Sequence, residues 1–295
     1  MATLLSPQLL VASLVLGSLY ALIALGLNLI YGTMRLLNVA HGELVMLGAY
    51  IAYFIFNLTG LGTVWALVPA MAICGGFGLL LYEGIFRRLL SEQTVLERLE
   101  ANSLLIFFGI SIIMQNVAAL AFTASPRSYG WMDQIVHIGG ASITANRLFA
   151  FAVAAAACGL CMAFFVFSTA GLAIRALLQD RTAAALVGIP AARINRMAFV
   201  LGFAMAGLAG ALVSMTEAVS PFVGFPFTIS AFVVIILGGL GNLVGSLVGG
   251  LILSAIEVYG VALTSSNWQS ILTYAVFIAM LLLRPRGIFG SRRAA

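Results

Sequence analysis

Between positions 26 and 50 the chain reads GLNLIYGTMRLLNVAHGELVMLGAY, placing Asn28, Arg35, Asn38, His41 and Glu43 inside otherwise apolar sequence. Two carboxamides, a guanidinium, an imidazole and a carboxylate could line a hydrophilic path or fix a partner helix. At membrane depth such groups are costly unless they face a partner, a cavity or the interface. Only Glu217 and Glu257 are placed as awkwardly. A metal site does not follow. His41 and Glu43 stand two residues apart, so they do not share a helix face, and no second cluster complements them. Asn28 reads either as a hydrogen-bonded packing residue or as part of a pathway lining. Arg35, His41 and Glu43 also have two readings. Gly42 weakens a helix at that point, and a broken or re-entrant helix is tolerated where protein or water satisfies its backbone. Otherwise the three residues sit in a simple cytoplasmic turn.

The elements that must position these residues are spans. The chain has 295 residues, 63% hydrophobic and 8% charged, whereas a soluble domain carries roughly 25% charged residues. Residues 1–34, 44–82, 101–126, 148–174, 197–216, 218–256 and 258–283 hold no Asp, Glu, Lys, Arg or His. A spanning helix needs about 20 such residues, and β-barrel strands would alternate instead. The expected fold is all-α and polytopic, a single membrane domain over 1–295. It has eight or nine hydrophobic elements, with a discontinuous or re-entrant second helix left open. The N-terminus lacks a basic leader, so the first run reads as a retained span.

All fourteen cations are arginines. They gather between spans, which makes the net charge of +5 a topology signal rather than a nucleic-acid footprint. Arg87, Arg88 and Arg98, the set from Arg175 to Arg196, and the set from Arg284 to Arg293 belong on the cytoplasmic side. The loop over 124–147 then lies outside, with a small hairpin expected around Gly139-Gly140. Three crossings before Glu83 put the N-terminus outside, and the C-terminus is cytoplasmic. Residues 83–100 read as a short solvated helix or loop. The run 231–257 reads as two short helices bent at 238–241, with Gly241, Gly245 and Gly249 forming a seam for close crossing.

The loop over 169–196 carries the most information. Asp180 can cap a short helix that ends at Pro190. Thr182–Val187 is small and apolar, and is flanked by Arg175, Arg181, Arg193 and Arg196. Such a helix fits a groove on another protein; the alternative is a helix lying on the lipid interface. Cys158-Gly159-Leu160-Cys161 is formally a CxxC, but no strand precedes it and it lies mid-span, so it reads as packing rather than redox or metal chemistry.

No nucleophile constellation, HExxH or GxxxxGK[ST] phosphate loop appears, and there is no lysine. This chain is therefore expected to hold no cofactor and to catalyse nothing. Taken together, the 26–50 stretch, GLAIRALLQDRTAAALVGI, AFVVIILGGLGNLVGSLVGG and LLLRPRGIFG resemble a permease of the branched-chain amino acid ABC importers, the member carrying NxAHGE. The likeness runs from about Gly17 to Gly290.

The resemblance implies a bacterial inner-membrane heterodimer of two homologous permeases. Two cytoplasmic ATPases that hold the ATP and Mg power it, and a periplasmic binding protein delivers solute. It implies that Asn28, Asn38, His41 and Glu43 lie on the pathway or subunit interface. It also makes Arg175, Asp180, Arg181, Ala183, Ala184 and Gly188 the coupling residues. Substrates annotated within such families extend to urea, short amides and aromatic acids. An energy-independent channel is the rival class, disfavoured because paired NPA motifs are absent and a pore needs no docking helix. On the expected topology, a cysteine at Ser128 reacts with an impermeant maleimide added outside cells and one at Thr182 does not. Reversed labelling overturns the orientation.

Overall fold

The computed structural model describes residues 6–92, 96–138, 140–284 and 287–289. Gly139, Pro285, Arg286, Arg292 and Arg293 lie outside the described residues. Helix α1 (Pro7–Met34) is capped by the Ser6 hydroxyl and ends at Arg35 in the left-handed region. It is followed by α2 (His41–Thr59), α3 (Val64–Leu81), a π-helical turn (Tyr82–Phe86), α4 (Arg87–Glu92) and α5 (Leu96–Phe122). Strands β1 (Ile135–Ile138) and β2 (Ala141–Thr144) form an antiparallel hairpin pairing Ile135 with Thr144. Then come α6 (Ala145–Phe167), α7 (Thr169–Gln179), α8 (Arg181–Leu186), α9 (Ala191–Val213), α10 (Gly224–Gly238), α11 (Leu243–Leu263) and α12 (Gln269–Leu283). Among the described residues eight helices are long and apolar enough to cross a membrane, and α10 falls short. The chain is an all-α, multi-pass membrane protein.

The two most buried spans, α1 and α9, cross at the centre, where no side chain fits between them. A Cβ on Gly26 would stand 2.7 Å from the Gly202 carbonyl oxygen, and one on Gly202 would stand 2.6 Å from that of Gly26. A second reciprocal contact joins the first turns of α2 and α10. A Cβ on Gly224 would lie 2.7 Å from the Gly42 carbonyl oxygen, and one on Gly42 would run into the Gly224 carbonyl oxygen. The remaining packing repeats the pattern. α1 lies along α11 as α3 lies along α9; α10 packs on α11 as α2 packs on α3. Two three-helix units, α1–α3 and α9–α11, thus face each other in inverted sense. Small residues allow this because backbones in lipid gain most from close approach.

Each unit contains a break. After Met34 the chain turns back without helix over residues 35–40, and α2 begins at His41. The His41 imidazole reaches the Ile23 carbonyl oxygen at 3.0 Å, about 16 Å along α1 from its end at 1.5 Å per residue. The second helix, His41–Thr59, is itself unbroken; the irregular backbone precedes it over 35–40, and Gly42 is not a break. Gly42 lies within α2 because α10 leaves no room for a Cβ. Residues 214–223 make the matching non-helical entry from the hairpin end, and α10 starts at Gly224. Both breaks lie against protein, which supplies hydrogen bonds that lipid cannot.

One further expectation is refined and another changes. The short solvated helix or loop expected over 83–100 takes the helical form in its described part and is continuous with α3. The π turn carries α3 onward into α4, and α5 begins five residues before its apolar part. Glu83 in that turn pairs with Arg87 at 2.8 Å and with Arg196 at 3.4 Å. Pro190 does not end the short helix, which stops at Leu186; it stands immediately before α9. The bend at 238–241 and the hairpin are as expected.

The crossings set a stability test. Gly26→Ala and Gly42→Ala should each cost at least the ~1–3 kcal/mol of overpacking, read as a lower thermal midpoint of the solubilised chain. Gly76→Ala, whose Cβ would meet nothing within 4 Å, should not lower it.

Candidate functional site

The mid-depth junction of α1, α2, α5 and α10 gathers most of the polar residues of the 26–50 stretch. Glu43 falls in the first turn of α2, where a carboxylate is favoured by the helix dipole. The first turn of α10 converges on it: a Cβ on Gly224 would be 2.7 Å from Glu43 Oε2. Ser111 on α5 donates to Glu43 Oε1 at 3.1 Å. The Gly42 amide donates to Thr228 Oγ1 at 2.9 Å, and Thr228 Oγ1 donates to the Val39 carbonyl at 3.2 Å. On the other side of the break, the Leu37 amide donates to Ser103 Oγ at 3.1 Å. These bonds replace the helical pattern that residues 35–40 give up.

Satisfaction is incomplete at the junction. Asn38, His41 and Glu43 are fully buried. Both carboxamide atoms of Asn38, Nδ1 of His41, Oε2 of Glu43 and the Tyr50 hydroxyl have no hydrogen-bond partner. His41 Nε2 must be the protonated nitrogen, since the Ile23 carbonyl can only accept. Native interiors leave few buried polar atoms unpaired, so a cluster of them calls for a functional account.

Asn28 stands apart, hydrogen-bonded to neighbouring backbone and side chain. Its Nδ2 donates to the Asn242 carbonyl at 2.9 Å and to Ser246 Oγ at 2.7 Å, and the Gly241 amide donates to its Oδ1 at 2.7 Å. It pins the turn between α10 and α11. Arg35 caps α1 at the arginine-rich end, with its guanidinium over the Tyr31 ring.

The loop over 169–196 forms two helices. Asp180 accepts from the Thr182 and Ala183 amides at 2.8 and 3.0 Å, a helix cap as expected. Arg175 donates to the Val166 carbonyl at 3.1 Å, tying α7 to the end of α6. Thr182, Ala183, Ala185 and Gly188 are exposed, and Leu186 and Val187 project with 83% and 76% exposure. Ala184 does not belong to that face: it is 3% exposed and packs into the main core. The side chain of Arg181 lies outside the described residues.

Sequence reasoning noted Glu257 only as oddly placed, yet it anchors a second polar cluster. Tyr20 donates to Glu257 Oε2 at 2.7 Å, Gln269 donates to the same oxygen at 3.2 Å, and Thr273 donates to Oε1. The available signal was Gln269 and Thr273, four apart and so on one face of α12. Outside the spans, desolvation pushes the Glu217 carboxyl above its usual range, and the Arg147 guanidinium opposes that shift. The three cysteines are free thiols packed in the helices. No group of metal-ligating side chains occurs among the described residues.

The family model described as "Branched-chain amino acid transport system / permease component" matches residues 9–281. The permease protein LivH of a high-affinity branched-chain amino acid transport system, from Salmonella typhimurium, is 32% identical, with 93% of this chain and 92% of LivH covered. The BraD permease of Pseudomonas aeruginosa is 30% identical over 96% of this chain and 95% of its own. The LivM permease of Salmonella typhimurium is 25% identical over 93% of this chain and 68% of its own. No solved structure matches.

Asn28 separates by experiment from the carboxylate. Asn28→Ala strands a buried amide and a carbonyl, a loss of about 1–3 kcal/mol, and should lower the thermal midpoint. Glu43→Gln keeps an acceptor for Ser111 and should leave the midpoint within the ~0.5 kcal/mol of a neutral change. An unchanged midpoint for Asn28→Ala would remove it as the pin of the turn.

Proposed function

Because the chain belongs to the branched-chain amino acid transport permease family, we propose that it is the membrane permease subunit of an ABC importer that moves branched-chain or related small amino acids inward. The observation that supports this best is the mid-depth junction, where two half-helix N-termini and unpaired polar atoms of Asn38, His41 and Glu43 meet between inverted units. Transporters place solute paths at such breaks. The chain lies in the inner membrane of a bacterium, with the N-terminus and the 124–147 loop outside and the arginine-rich end in the cytoplasm. It acts without enzymatic chemistry of its own. A LivM-like permease is its partner, two cytoplasmic ATPases that bind ATP and Mg supply the energy, and a periplasmic protein presents the solute. The experiment is uptake of labelled leucine by cells expressing the complete system. Glu43→Gln should depress uptake while assembly persists. Normal uptake with Asn38→Ala, His41→Ala and Glu43→Gln combined would make the junction a packing feature only.

Coupling passes through α7 and α8. With Leu186 and Val187 projecting from α8, the apolar knob is the element an ATPase groove would receive, while Arg175 and Asp180 hold its base. Ala184 supports the knob from beneath, so Ala184→Trp would overpack the loop itself, at about 1–3 kcal/mol, rather than block docking from outside. Leu186→Asp is the cleaner probe. It should weaken retention of the ATPase subunits roughly tenfold, about 1.4 kcal/mol, and lower stimulated ATP hydrolysis without shifting the thermal midpoint. Unaltered retention and hydrolysis would exclude this helix as the coupling element.

A further inference from the structure

A cavity of about 370 Å³ opens between the first turns of α1, the last turns of α11 and the start of α12. Its size falls in the roughly 300–1,000 Å³ range of small-ligand sites. Its walls divide by chemistry. Leu9, Leu16, Leu19, Val258 and Val261 are aliphatic; Arg147, Glu217 and Glu257 are ionisable.

The charged groups are arranged with capacity to spare. Arg147, in the first turn of α6, is exposed, and its guanidinium makes no hydrogen bond or ion pair to any described residue. It also lines a neighbouring space of about 390 Å³ with Ser142, Thr144 and Thr216, so it stands at the mouth. Glu257 is 1% exposed. Its three donors, Tyr20, Gln269 and Thr273, are all neutral. A carboxylate has about four acceptor positions, so one remains, and among the described residues no arginine or histidine side chain bonds to it. A guanidinium at the mouth, carboxylates on the wall and an aliphatic surface between them match one class of molecule.

We propose that this cavity is a binding site for an α-amino acid zwitterion with an aliphatic side chain. Arg147 takes the carboxylate as a charge-assisted, fork-shaped pair. Glu257, with Glu217, takes the ammonium. Leu16, Leu19, Val258 and Val261 cover the side chain. Tyr20, Gln269 and Thr273 are positioning residues that hold the Glu257 carboxylate in place. The site lies at the hairpin end, removed from the mid-depth junction, and makes a station at which solute is held before it reaches the break. The proposal rests on the amino-acid transport reading above. A phosphatidylethanolamine headgroup also pairs an ammonium with an anion, and the test separates the two.

The full-length chain is placed in nanodiscs of phosphatidylcholine and phosphatidylglycerol, and labelled leucine binding is measured. Saturable binding is expected. Arg147→Gln should raise the Kd for leucine at least tenfold while barely changing that for 3-methylbutylamine, which lacks the carboxylate. Glu217→Gln and Glu257→Gln should weaken leucine while sparing 4-methylpentanoate, which lacks the ammonium. Arg147 and Glu217 are exposed, so their variants keep the test standing if Glu257→Gln fails to fold. Absent binding to the wild-type chain, or equal losses for leucine and both truncated ligands, overturns the site. So does loss of leucine binding once phosphatidylethanolamine is added, which assigns the cavity to lipid. In cells, leucine uptake with unchanged kinetics in Arg147→Gln sinks this site and leaves the transport reading intact. A complete system that carries no amino acid sinks the transport reading itself.

Discussion

A backbone that leaves helical geometry inside a membrane must find every lost hydrogen bond in neighbouring protein, and this requirement organises the molecule. Two segments make that departure, residues 35–40 and 214–223, and both pack in part against the α1–α3 and α9–α11 units, with Arg35, Glu217, Ala218 and Phe222 left exposed. The backbones of the two units touch at Gly26 with Gly202 and at Gly42 with Gly224. Beside the second contact the Gly42 amide reaches Thr228 of α10, while the Leu37 amide reaches Ser103 of α5. Small residues at two crossings thus permit irregular structure at mid-depth.

The breaks concentrate polarity where lipid would otherwise exclude it. Helix N-termini carry partial positive charge, and those of α2 and α10 converge on Glu43. The same junction leaves buried polar atoms of Asn38, His41 and Glu43 without partners, whereas Asn28, one helix away, is fully used in holding a turn. The contrast separates two roles that look alike in sequence. A residue whose every donor and acceptor is engaged defines shape, and one left partly unengaged retains capacity for a solute, water or a moving neighbour. Glu257 is intermediate: it is held by three donors, yet one acceptor position stays open.

The arginine-rich end has a different character. Its helices are short, and its contacts with the spans run through Glu83 to Arg196 and through Arg175 to the end of α6. The exposed apolar tip of α8 is supported by the buried Ala184, and both α7 and α8 pack on α9. α9 carries the crossing at Gly202 and ends at Val213, where the entry to α10 begins.

Sequence alone determined the class, because long charge-free runs in a chain with 8% charged residues have no stable soluble fold. It also determined the polar stretch around Asn38 to Glu43, the hairpin, the bend at 238–241 and the Asp180 cap. These follow from local composition and from turn or cap chemistry acting over a few residues. What it could not decide were facts set by distant partners. Gly42 reads in sequence as a helix breaker, but it is a contact point for Gly224, 182 positions away by residue number. Ala184 reads as part of an outward face until packing turns it inward. Asn28 and Asn38 are the same residue type in similar surroundings, and only the placement of Gly241, Asn242 and Ser246 assigns one to structure. Glu257 becomes a site only when Tyr20, Gln269 and Thr273 arrive from two other helices. Hydrophobic patterning acts along the chain and is readable there; close approach and hydrogen-bond satisfaction act across it, and only the tertiary structure fixes them.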